Sequence, residues 1–124
     1  MHGEMQESIG YHTRAYELSP GSPEAYDSLF GIAGSHLVLG NNEAAIEWAL
    51  KSLATFNDLL FTYIALTAAY TNLGRMDEAA PMLCKVRELS PHLTLQLIAD
   101  GAAREDAFAW AVIPPLRKAG LPER

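Results

Sequence analysis

The chain repeats itself at a spacing of 34 residues. Leu39-Gly40 recurs as Leu73-Gly74, Ala45 as Ala79 and Lys51 as Lys85. Between these fixed points Leu29 corresponds to Tyr63, Ile32 to Leu66, Ala49 to Leu83 and Ser52 to Val86. A partial third copy lies earlier: Gly3-Glu4-Met5-Gln6-Glu7 is similar to Gly74-Arg75-Met76-Asp77-Glu78, and Glu17-Leu18-Ser19-Pro20 returns as Glu88-Leu89-Ser90-Pro91. That offset is two periods plus three residues, which the turn-forming Pro20-Gly21-Ser22-Pro23 accommodates. A period of this length constrains the fold more than any composition does, because one unit cannot bury its own apolar face and must stack on the next.

Within a unit the apolar residues fall at helical spacing: Leu29, Ile32, Ala33, His36 and Leu39, then Tyr63, Leu66, Thr67, Tyr70 and Leu73. Gly40 and Gly74 suit the left-handed position that ends a helix. A second helix opens at once and carries Ala45 or Ala79 where two backbones must approach closely. Ser90-Pro91 closes the unit, since proline disfavours helical geometry in the residue before it. Five repeat helices are expected, near 5–18, 24–39, 43–56, 60–73 and 77–89. The first has no partner helix, as if the chain were the C-terminal part of a longer protein. Pro81 lies one turn into the fifth and is tolerable if that helix starts near Asp77.

This pattern resembles the tetratricopeptide repeat family over roughly residues 3–91. In that register Tyr70, Gly74, Ala79 and Pro91 of the second copy fit well, and Leu29, Gly40 and Ala45 of the first fit with Asn57 where proline is usual. The resemblance implies an all-α, right-handed solenoid of antiparallel helix pairs. Its divisions would be an array over 1–91 (half repeat 1–20, repeats 23–57 and 58–91) and a non-repeat helical cap and tail over 92–124. It also implies that the first helix of each pair lines a concave, protein-binding surface. The positions expected there are Asp27, Phe30, Gly34, Leu37 and Val38, and Phe61, Ile64, Ala68, Thr71 and Asn72. Most are apolar, and only Asn72 offers an amide, so the family's clamp for C-terminal carboxylates is disfavoured.

After Pro91 the register fails. Thr94 suits the cap of a short helix over 95–99, ended by Asp100-Gly101. Glu105-Asp106 opens another over 107–113, which Pro114-Pro115 should break, leaving a last helix over 115–119 that stops at Gly120. The ending Leu116-Arg117-Lys118-Ala119-Gly120-Leu121-Pro122-Glu123 resembles the tail of bacterial multidomain regulators. In those proteins a tetratricopeptide array follows a class III nucleotidyl cyclase domain or a winged-helix DNA-binding domain.

Composition narrows the function classes. With 15 acidic and 9 basic residues among 124, attraction to nucleic acid or anionic lipid is not expected. One cysteine excludes an internal disulfide, and no apolar run is long enough for a membrane-spanning helix. A cytoplasmic protein is the expectation. No Walker pattern or Gly-x-Gly-x-x-Gly is present; Gly31-Ile32-Ala33-Gly34 lies inside an expected helix, where small residues permit close packing. The four histidines are scattered, and Cys84 lacks a CxxC partner, so neither a metal site nor a cofactor is expected. His36 stands where the other copy has Tyr70 and reads as a hydrogen-bonded packing residue, and Cys84 as a small apolar filler. No catalytic residue is assigned.

The segment Leu59-Leu60-Phe61-Thr62-Tyr63-Ile64-Ala65-Leu66 is apolar nearly all round, so it should be covered on every side. Three covers are conceivable: the chain's own C-terminal helices, with Phe108, Trp110, Val112 and Ile113 as candidates; a second copy; or a foreign amphipathic helix. The function expected is therefore protein–protein interaction or oligomerisation in a larger bacterial signalling protein.

Overall fold

The computed structural model describes residues 25–55 and 60–124. The helix expected over 5–18, the half repeat 1–20 and Asn57 lie outside these residues. Six helices follow one another: α1 Ala25–Val38, α2 Asn42–Thr55, α3 Leu60–Asn72, α4 Met76–Leu89, α5 Leu95–Gly101 and α6 Ala107–Ala119. Among the described residues there is no strand, and the fold is all-α.

The sequence period reappears as a period of backbone structure. Asn42–Thr55 and Met76–Leu89 begin and end at equivalent positions of the two copies, as do the ends of α1 and α3 at Val38 and Asn72. The connections are built identically. Gly40 (φ 84°) and Gly74 (φ 76°) sit in the left-handed region, which glycine enters without the cost a Cβ would bring. Around the first, Gly40 N–H donates to the Leu37 carbonyl (3.1 Å) and Asn41 N–H to that of His36 (2.8 Å). Around the second, Gly74 donates to Thr71 (3.0 Å) and Arg75 to Tyr70 (2.8 Å). This pair of bonds satisfies carbonyls that a helix end otherwise strands. The next helix then starts with Ala45 N–H donating to Asn41 and Ala79 N–H to Arg75. Each short connection folds the second helix back along the first, and Ala45 and Ala79 are buried where the pairs α1–α2 and α3–α4 meet.

Helix α3 is the centre of the described residues. Every residue from Thr62 to Thr71 is buried, because α1, α2, α4 and α6 all pack against it. This is the covering that an apolar circumference requires. Its three buried threonines are handled differently. Thr67 Oγ1 donates to the Tyr63 carbonyl (2.8 Å), Thr62 Oγ1 faces Ser52 Oγ at 3.4 Å, and Thr71 Oγ1 has no partner among the described residues. Pro81 stands exposed on α4, which begins at Met76, close to the expected start. Ser90 is non-helical (φ −143°, ψ 80°), and Pro91 takes the second position of a turn closed by Leu93 N–H donating to the Ser90 carbonyl.

The C-terminal part corrects one expectation. Helix α6 runs unbroken from Ala107 through Pro114-Pro115 to Ala119. Two helical hydrogen bonds are lost, at a cost of about 3 kcal/mol per proline. Against this, Ala109, Val112, Ile113 and Leu116 form one stripe at spacings of three and four that crosses the prolines and is buried. Large apolar side chains contribute about 1.5–3 kcal/mol each when buried, enough to offset the loss. Pro114 is exposed and Pro115 buried. Asp106 caps the helix by accepting from Ala109 N–H (3.0 Å), and Gly120 ends it at φ 114°.

Helix α5 starts as expected at Thr94, whose Oγ1 accepts from Leu97 N–H (3.2 Å). The two preceding donors of its first turn are satisfied by the tail: Leu95 N–H donates to the Pro122 carbonyl and Gln96 N–H to the Glu123 carbonyl, both at 2.9 Å. Leu121 is buried, and Arg117 and Glu123 form an ion pair beside it. The residues read as a tail are thus an integral part of the cap.

Candidate functional site

On α1, Phe30, Gly34 and Val38 lie one turn apart on one face. Phe61 opens α3, and Phe108 opens α6. The three phenylalanines meet: Phe108 and Phe30 form an edge-to-face pair, with centroids 5.3 Å apart and planes at 83°, and Phe61 lies 6.2 Å from Phe30. Edge-to-face geometry places the positive rim of one ring on the negative face of the next. Gly34 forms the floor. A Cβ there would touch Phe108 Cδ2 at 3.5 Å, so any long side chain at this position would fill the space.

The result is an open apolar cleft of about 420 Å³ between α1 and the start of α6. Phe61 remains 52% exposed at its edge. The charged side chains that line it are Glu105 and Asp106, both exposed, at the end where α6 begins. Asp106 is engaged as the cap of that helix. Glu105 makes no side-chain hydrogen bond or ion pair among the described residues.

Of the positions expected on the interaction surface, Phe30, Gly34, Val38 and Phe61 therefore converge. Leu37, Ile64 and Ala68 do not. They belong to the buried core shared with Val112, Ile113 and Leu116, because α6 lies against α1 and α3. Thr71 is buried as well, and Asp27 lies where only the backbone is described. Asn72 is exposed, but its amide donates to Asn42 Oδ1 at 3.0 Å and ties the end of α3 to the start of α2. Helix α6 thus shares with α1, α2 and α4 the covering of α3, leaving the cleft beside Phe108. Trp110 is turned away from the core, 44% exposed, with its indole N–H on the Ala103 carbonyl (3.0 Å).

The residues that mark the repeat serve the fold. Tyr70 is buried, with the Arg75 guanidinium 5.1 Å over its ring. Burial first, and then the Glu78 charge, push its phenol above the usual value, with Arg75 opposing. At the equivalent place His36 is half-buried, with Nδ1 3.4 Å from the Asn41 amide nitrogen. Burial holds its imidazole below the usual value and the Glu47 charge opposes this. Cys84 is exposed, contrary to its reading as a filler. The buried stripe of α4 is Ala79, Leu83 and Val86, and residue 84 falls outside it. The charges at Glu43, Glu47, Lys51, Glu78, Arg87 and Glu88 are exposed, with surface pairs Lys51–Glu47 and Arg75–Glu78.

Glu105 and Asp106 were not foreseen as lining residues. Their place depends on where α6 docks, which no local periodicity encodes; the only sequence signal was the helix start itself. Among the described residues, no group of three His, Cys, Asp or Glu could hold a metal ion. No helix among them is long and apolar enough to cross a membrane. No protein-family model matches the chain, and no curated protein matches it.

Proposed function

We propose that the chain is a tetratricopeptide-like, right-handed solenoid end that serves protein–protein interaction or oligomerisation. Its setting is the C-terminal regulatory part of a larger cytoplasmic bacterial signalling protein such as a nucleotidyl cyclase; a winged-helix regulator is the alternative parent. The observation that carries the reading is the apolar cleft with Phe30, Phe61 and Phe108 at its walls and Glu105 and Asp106 where α6 begins. The equal spacing of helix ends and the matched Gly40 and Gly74 connections support the repeat assignment. The chain itself performs no catalysis in this reading; it contributes an apolar contact that arranges the domains attached to it.

Light scattering after size exclusion, over a dilution series with and without apolar helical peptides, tests this. Phe61→Ser removes an exposed ring and should leave circular dichroism and melting unchanged while weakening dimer formation or peptide capture at least tenfold. A chain that is monomeric throughout and captures no peptide overturns the reading.

A further inference from the structure

We infer that the cleft between α1 and α6 takes an apolar peptide segment followed by a basic residue, rather than a second copy of this chain. The inference deepens the interaction reading above and rests on it.

Three observations lead there. The cleft, about 420 Å³, is bounded by phenylalanine rings from three different helices, and at Gly34 even a Cβ would touch Phe108, so this stretch of the wall stays open only to a residue without a side chain. Its charge is one-sided among the described residues: the lining carries Glu105 and Asp106 and no cation, and the two acids are adjacent at the start of α6. Asp106 is held by the helix it caps, whereas the Glu105 carboxylate is uncompensated within the described residues. A lysine or arginine one turn beyond an apolar anchor would meet that carboxylate, in the helix-in-groove manner of amphipathic segments. A second copy would bring the same pair of acids toward the same acidic surface, on a chain of net charge −6. Like charges so juxtaposed oppose association.

The probe is a fluorescein-labelled amphipathic peptide of roughly 15 residues with leucines at helical spacing and two lysines after the last leucine. Its control carries two glutamates in place of the lysines. Anisotropy on the full chain should show the lysine peptide binding about tenfold tighter, with the advantage shrinking from ~0.05 M to ~0.5 M salt. Glu105→Gln should reduce that preference to a few-fold or less, and Glu105→Lys should reverse it. Gly34→Leu should abolish binding of both peptides by filling the cleft. Phe61→Ser is the second cleft variant, because Phe61 is half-exposed and dispensable for the core. Equal binding of the two peptides overturns the basic flank and leaves the interaction reading standing. Dimerisation sensitive to Phe61→Ser overturns the peptide and supports the oligomerisation form of that reading. Binding of neither peptide by a monomeric chain overturns both.

Discussion

The pairs α1–α2 and α3–α4 share a backbone plan and differ in what surrounds them. Their connections use the same glycine, the same two carbonyls and the same first bond of the following helix. Yet Phe30 lines an open cleft, whereas Ile64, its counterpart one period later, is 3% exposed in the core. Leu37 corresponds to Thr71 and His36 to Tyr70. Local backbone is thus set by a few residues per period, while the role of each side chain is set by its position in the stack. In the second pair α6 lies against the first helix, which is buried from Thr62 to Thr71. The first pair meets α6 through α1, and the cleft is the space left between Phe30 and Phe108.

The largest effect should come from exchanging burial between the equivalent positions. Ile64→Ala removes side-chain volume from a site enclosed on all sides and should cost about 2–5 kcal/mol in urea unfolding. Phe30→Ala deletes a larger side chain but one that faces open space, and should cost about half as much or less. If the two costs are equal, the cleft is closed in solution and the contrast between the pairs fails.

What could be read in the sequence follows the same division. The ends of α1 to α4 were legible because Gly40, Gly74, Ala45, Ala79 and Pro91 act on their own neighbours: a left-handed stop, a close approach, a non-helical residue before proline. The covering of α3 was legible too, because a helix apolar on all faces admits no other environment. Helix α6 was not. Two prolines argue locally for a break, and only the packing of Val112, Ile113 and Leu116 on distant α3 overrules them. The docking of residues 121–123 against the start of α5 is equally non-local. Three of the ten positions expected on the surface, Leu37, Ile64 and Ala68, lie in the core for this reason: they are apolar and on the first helices of their pairs, but α6 packs against those helices.

A smaller effect, of opposite sign, should come from Thr71. In the first pair this position is Leu37, which satisfies its buried site without a polar atom. Thr71 Oγ1 is buried without a hydrogen-bond partner among the described residues, a state that costs about 1–3 kcal/mol relative to a satisfied or absent hydroxyl. Thr71→Val keeps the shape and the branched Cβ and removes the oxygen. The variant should be more stable than the parent by about 1 kcal/mol, seen as a higher urea midpoint at unchanged slope. A loss of stability instead would mean that the hydroxyl finds a donor or acceptor in solution.

The smallest effect separates His36 from Tyr70 by pH. Burial disfavours the charged imidazole and outweighs the opposing attraction of Glu47, so the folded chain protonates His36 at a lower pH than the usual 6.5. Between those two values the unfolded state binds more protons, and stability rises with pH there. The contribution is therefore intact above pH 6.5, is lost as pH falls through the folded value, and is flat below it. His36→Tyr gives the first pair the residue of the second, which stays neutral throughout this range. The contribution of this position is read by subtracting the two stability profiles. The difference should be a single downward step on acidification, confined to the parent chain and below about 1 kcal/mol for so accessible a ring. Parallel profiles would mean that the imidazole is solvated when charged. The two connections would then be equivalent in environment as well as in backbone.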